Sequence, residues 1–163
     1  MFEASAQVYG TDKTQECVVT ATSFSKASIT ADAAMAVIAA SVAEAQRMGQ
    51  PFVITVVDES GVVKASLRMD GAPLLSVQVA ADKAYTAAGF SMSTDAWFDF
   101  IDKDEPLRVG APTGIDRLVV FGGGYPIVVD GAVIGAVGVS GGHYSQDMAI
   151  AQAGLVVLEN TAR

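Results

Sequence analysis

Histidine and cysteine are nearly missing from this chain: 163 residues hold one of each, His143 and Cys17. A single cysteine excludes an internal disulfide and any Cys-x-x-Cys motif, and it fits a reducing compartment, so a cytoplasmic protein is expected. A single histidine excludes the paired-histidine spacings of zinc sites, and no metal site is expected. Positive charge is scarce as well. Ten Lys and Arg face 18 Asp and Glu, for a net charge of −8. With no basic stripe, neither nucleic acid nor an anionic membrane surface is an expected partner. An anionic ligand would need a local positive site. Long apolar runs are absent too, none reaching the roughly 18 residues of a membrane span. The opening stretch MFEASAQVYGTDKTQE has neither the basic start nor the apolar core of a secretory signal, so no such signal is expected.

Aromatic residues make up 7% and charged residues 17%, whereas 51% are hydrophobic. Alanine and valine carry much of that excess, and 16 glycines stand beside them. Small apolar residues suit helices packed closely on a sheet, and the surplus suits burial between subunits. A homo-oligomer of one-domain chains is therefore expected.

Residues 1–16 are polar and unpatterned and read as an arm. Residues 17–29 read as a short strand or helix with a lead-in. The first firm helix spans 31–48. Thr30 suits its N-cap, Asp32 its first turn and Arg47 its last, with Gly49 and Pro51 as the stop. Met35, Ile38, Val42 and Ala45 repeat at helical spacing as its core stripe. Two strands follow. Residues 52–58 are almost wholly apolar, as in a strand covered on both faces. After the Glu59-Ser60-Gly61 turn, 62–69 alternates, with Val63, Ala65, Leu67 and Met69 on one face. A helix is expected over 73–88, a short one over 93–101, and a polar loop over 102–117. Three strands are expected at 118–121, 126–129 and 132–140, the last two joined by an Asp130-Gly131 hairpin turn. A final helix over 145–160 buries Met148, Ala151, Leu155 and Leu158. Strands joined by tight turns make an antiparallel sheet flanked by helices, an α+β class, with five strands.

The candidate chemistry is thinly spread. Arg68 closes a strand just before the Asp70-Gly71 turn, and its planar fork suits a carboxylate. A salt bridge to Asp58 or Asp70 would satisfy it equally. Ser76, Val79, Lys83 and Thr86 share one side of an otherwise apolar helix. That stripe is either a solvated edge or a pocket wall, where Lys83 would bind an anion or act as a base. Gly122-Gly123-Gly124 is a plain turn or a backbone that a ligand approaches closely. Gly141-Gly142 joins a strand to a helix and can present N–H groups to an anion. His143 follows, as a loop residue, a ligand or a base.

Several stretches together resemble one family: VVDESGVVKASLRMDGA (57–72), AADKAYTAAGF (80–90), FGGGYPIVVDGAVIGAVGVSGG (121–142) and Gln146-Asp147. This is the GlcG/HbpS family, also called the haem-degrading domain family, which includes the C-terminal domain of PduO proteins. The resemblance covers about residues 30–160, leaving 1–29 as the arm and 30–163 as the domain. It implies a profilin-like fold, an antiparallel sheet flanked by helices, and small oligomers, often octamers. It also implies haem binding, with haem breakdown and iron release in parts of the family. The residues matching its motifs are Arg68, Asp70, Lys83, Thr86, Gly141, Gly142 and Asp147.

Three functions follow as expectations. Haem as cofactor would take Arg68, Lys83 and the glycine N–H groups for its propionates, and His143, Met69, Tyr85, Tyr125 or Tyr144 for its iron. A small carboxylate would be held by Arg68 and Lys83, with Lys83, Asp58, Asp70 or His143 as acid or base and Thr86, Gly123, Gly124, Gly141 and Gly142 lining the site. A scaffold would have no small-molecule site, and its function would be its oligomer.

Overall fold

The computed structural model describes residues 21–159. The arm expected over 1–16, Cys17 and the chain beyond 159 lie outside the described residues. Residues 21–28 form neither helix nor strand. Ile29 is then drawn into the core and donates its N–H to the Ile134 carbonyl at 2.8 Å.

Helix α1 is Ala31–Met48. Thr30 accepts the Ala33 N–H through its hydroxyl, and Gly49 closes the helix in the left-handed region at φ 70°, where glycine carries no Cβ penalty. The buried stripe is turned relative to the expectation. Ala34, Val37, Ile38, Ser41 and Ala45 face inward, and Met35 is exposed. The small residues on that face admit a second helix: a Cβ on Gly154 would run into the Ser41 hydroxyl and the Val37 backbone.

Strands β1 (Val53–Asp58) and β2 (Val63–Arg68) form the expected hairpin, and β3 (Gly124–Val129) and β4 (Ala132–Ser140) form another. The four run antiparallel in the order β2-β1-β4-β3. The fifth strand, expected over 118–121, is not there. Thr86 takes the backbone groups that such a strand would need. Its hydroxyl donates to the Arg117 carbonyl (3.2 Å) and accepts the Val119 N–H (3.0 Å). A segment bonded side-on to a helix has no ladder to offer.

Helices α2 (Ser76–Phe90), α3 (Thr94–Ile101), α4 (Glu105–Gly114) and α5 (Tyr144–Glu159) complete the chain. Helix α4 replaces part of the loop expected over 102–117. Its sequence, EPLRVGAPTG, looks like a loop because of its prolines and glycines. Yet Pro106 lies in the first turn, where no N–H is required, and Asp104 caps the end by accepting the Leu107 N–H.

Helices cover both faces of the sheet. Ile54, Val56, Val137 and Val139 face α1 and α5, with Val37, Ile38, Ile150 and Ala151 in the same cluster. Their neighbours Val53, Val57 and Ala136 face α2, against Ala80, Ala84 and Ala87. This is why β1 is almost wholly apolar. The architecture is α+β: a four-stranded antiparallel sheet with five helices among the described residues.

Candidate functional site

The polar centre of the domain is an ion pair with almost no exposure. Lys83 on α2 reaches past β4 to Asp147 on α5, Nζ to Oδ2 at 2.5 Å, with side chains 0% and 3% exposed. The same ammonium donates to the Val139 carbonyl at 3.0 Å and lies 4.7 Å from the centroid of the Phe121 ring, a cation–π distance. Burial pushes the Lys83 ammonium down from its ordinary range and the Asp147 carboxyl up, and their mutual attraction opposes both shifts. Lys83 is thus neither a solvated edge nor an open anion site. It joins α2, β4 and α5.

The two glycine runs serve this pair. Gly123 holds φ +118°, and a Cβ there would lie 2.7 Å from Asp147 Cβ and 2.8 Å from Lys83 Nζ. Only a residue without a side chain lets the loop lie against the pair. Gly124 fixes the loop by donating its N–H to Thr94 Oγ1 at 3.0 Å. At the other run, Asp147 Oδ1 accepts the Gly142 N–H at 3.4 Å, and the Gly141 backbone also favours the carboxylate. The N–H groups expected to hold an external anion therefore hold the chain's own carboxylate.

His143 is the cap of α5. Its carbonyl accepts the N–H groups of Gln146 and Asp147, and its Nδ1 accepts the Ser145 N–H at 3.3 Å. Gln146 reaches back to the His143 N–H at 3.0 Å, completing a capping box. The ring is exposed and lies against Tyr144, centroids 4.2 Å apart.

On the outer side of Phe121 lies a cleft of about 390 Å³, lined by Phe98, Val120, Phe121, Tyr144 and Met148, with Asp95 and Asp99 as its charged groups. Its volume is within the range of small-molecule sites. Beside Asp95 stands Tyr125, whose hydroxyl accepts from Gln152 Nε2 at 3.1 Å. Burial, and then the neighbouring Asp95 carboxylate, push the Tyr125 phenol up to about 12. The unfolded chain loses this proton near 10 and the folded one holds it longer, so stability falls as pH rises through that interval. Absorbance titration is expected to show a tyrosine transition near pH 12 that Tyr125→Phe removes. Asp95→Asn should pull that transition down, and a Tyr125→Phe curve that keeps it would refute the assignment.

The other sequence candidates lie elsewhere. Arg68 forks onto the Ala72 carbonyl (3.0 and 2.7 Å), pinning the turn before α2. With Asp70 it borders a separate shallow cleft between α1 and β2. Asp58 holds its own turn through the N–H groups of Ser60 and Val62. Arg68 and Asp70 are thus brought together, as are Lys83, Gly123, Gly124, Gly141 and Gly142. Lys83 and Arg68 do not form one carboxylate clamp. Thr86 holds the 117–119 segment. Sequence reasoning left Phe121, Met148, Asp95 and Asp99 out of the site. The alternation of aromatics and acids in DAWFDF (95–100) and the Phe before the triple glycine were the available signals.

These elements define a class: a small α+β domain with helices on both sheet faces, a buried lysine–aspartate pair, and an aromatic cleft beside it. The family model described as "Haem degrading protein HbpS-like" matches residues 29–156, and the chain belongs to this HbpS-like family. It is 39% identical over 129 residues to an uncharacterized 15.0 kDa protein of Citrobacter freundii, covering 79% of this chain and 91% of that one. It is 37% identical over 107 residues to protein GlcG of Escherichia coli K12, covering 66% and 77%. Corrinoid adenosyltransferase PduO of Salmonella typhimurium is 36% identical over 120 residues, 73% of this chain but only 35% of that protein. Among solved structures, a PduO C-terminal domain–haem complex superposes with a TM-score of 0.74 at 32% identity, covering 79% of this chain and 94% of that one. HbpS gives 0.76 at 28%, covering 86% and 99%. No helix of the described residues is long and apolar enough to cross a membrane.

Proposed function

We propose that this HbpS/GlcG-type protein binds haem in the cleft outside Phe121, as a homo-oligomer in the cytoplasm. The observation that carries the reading is the relative caught as a haem complex, the PduO C-terminal domain, whose fold this chain shares across most of its length. The lining residues fit the group in two respects. Phe98, Val120 and Phe121 provide apolar and aromatic contact, and Tyr144 and Met148 provide oxygen and sulfur donors of kinds that haem iron accepts. They do not supply cations for the propionates, since Arg68 and Lys83 are engaged elsewhere. The cleft's own charged groups, Asp95 and Asp99, are acidic and oppose them, so the lining suits the porphyrin face and not the propionates.

When bound, haem would supply redox-active iron. The chain's own part is to exclude water with the aromatic wall and to keep that wall in place through Lys83, which stacks behind Phe121. An oligomer is supported by apolar side chains in the open on separate elements: Leu74 and Leu75 before α2, Val109 on α4, and Val128 on β3.

The test is hemin titration of the purified protein, followed through the Soret band on material sized by light scattering. Saturation at one haem per chain, on a particle several times the 16.8 kDa chain, is expected. Phe121→Asp should abolish saturation. Breakdown of the bound haem is the finer half of the reading. Free iron appearing in a chelator assay after ascorbate is added in air would report it. A wild type with no saturable Soret change at micromolar protein sinks the proposal.

A further inference from the structure

We infer that the cleft outside Phe121 takes an organic cation, a primary ammonium carried on a flat apolar or aromatic body. This ligand goes beyond the haem reading. It meets the two carboxylates that a porphyrin face leaves unmatched, and the two ligands would exclude each other on one apolar wall.

The cleft offers about 390 Å³, an aromatic lining, and charge of one sign only. Asp95 and Asp99 line it, and no lysine, arginine or histidine does. Three salt bridges form among the described residues, and neither carboxylate belongs to one. The two stand one turn apart on α3, a spacing at which like charges repel. A cation between them would relieve that repulsion. Asp95 also carries an unmet acceptor. Its Oδ1 is closed off from solvent and has no hydrogen-bond partner among the described residues. A buried acceptor left unbonded is costly, and a ligand N–H would offset the cost. Rotation of the carboxylate about its soft terminal torsion presents that oxygen to the cleft. A quaternary ammonium has no proton to give it, so a primary one fits better.

The rings divide the remaining work. Phe121 already has the Lys83 ammonium on one face, 4.7 Å from its centroid, so it serves the apolar body of the ligand. Phe98 and Tyr144 are 43% and 49% exposed, and no lysine or arginine of the described residues lies over either ring. Aromatic faces carry the negative quadrupole that attracts an ammonium. At longer range the net charge of −8 draws cations in and turns anions away.

Three probes of one shape, phenethylamine, phenethyl alcohol and phenylacetate, are titrated into the purified protein by calorimetry at low and high salt. The amine is expected to bind about tenfold more tightly than the alcohol, and to weaken as salt rises. Phenylacetate should not bind. Asp95→Asn and Asp99→Asn should each erase most of the amine's advantage and leave the alcohol unchanged, with an unaltered far-UV circular dichroism spectrum. Asp99 is exposed, so its variant tests the site even if Asp95→Asn disturbs the fold. Equal affinity for amine and alcohol overturns the inference, and so does an Asp99→Asn protein with the full wild-type preference. A wild type that saturates with hemin and ignores the amine overturns it while leaving the haem reading standing. One that binds the amine with no saturable Soret change supports it and overturns the haem reading alone.

Discussion

Asp147→Leu is expected to lower the free energy of unfolding by about 3–5 kcal/mol, because it strips a buried ammonium of its counter-charge. For a domain of this size that is a fall in Tm of roughly 10 °C or more. Lys83 would keep only the Val139 carbonyl and the face of Phe121 as partners. Neither carries the full charge that would offset its desolvation. Lys83→Met is expected to cost somewhat less, since the orphaned Asp147 carboxylate keeps the Gly142 N–H and the favourable Gly141 backbone. The double variant Lys83→Met/Asp147→Leu should regain much of the loss, because no unpaired charge remains and the volumes are similar. A double-mutant cycle by urea denaturation separates this coupling from simple loss of packing. Additive single and double effects would show that the pair is not the linchpin described here.

The same pair makes a signed pH prediction. In Lys83→Met the attraction that lowers the Asp147 carboxyl is gone, and the desolvation that raises it remains. The folded variant then takes up a proton more readily than the unfolded chain, whose carboxyl titrates near 3.8. Below both values that difference vanishes. Between them the folded state binds more protons, so the variant loses stability as pH rises through the interval. Acidification toward the unfolded value should narrow its deficit against the wild type.

Local patterns exposed most of the fold to a reading of the sequence. Thr30 and Gly49 mark the ends of α1, Asp130-Gly131 marks a hairpin, and the apolar run of β1 announces a strand covered on both faces. One failure comes from a side chain bonding backbone far away in sequence. Thr86 cancels the strand at 118–121 from 31 and 33 residues away, and no local pattern contains that. The site was legible in its parts and not in its wiring. Lys83 and the glycine runs stood out. Their meaning depended on Asp147, 64 residues from Lys83, which had been noticed only within a family motif. His143 drew attention by being alone, and its work is to cap a helix, which Gln146 three residues later hinted at.

The glycines give the second large effect, with opposite signs at two positions. Gly138→Ala is expected to destabilise by about 1–3 kcal/mol or more. Gly138 lies in the middle of β4, paired with Thr55 on β1 and Gly124 on β3. A Cβ there would stand 2.1 Å from the Ala80 carbonyl oxygen and 2.6 Å from the Ala84 nitrogen. Both are backbone atoms of α2, so no rotamer change relieves the clash, and the whole helix must lift from the sheet. That helix carries Lys83, whose Nζ would then be drawn from Asp147 and from the ring of Phe121. Gly89→Ala on the same helix meets nothing within 4 Å and needs no positive φ. It should stabilise by about 0.4–1 kcal/mol by restricting the unfolded chain. Urea midpoints at constant m-value read both changes. If Gly138→Ala unfolds within about 0.5 kcal/mol of the wild type, α2 does not rest on the bare backbone of β4, and the close packing that seats Lys83 behind the cleft wall is wrong.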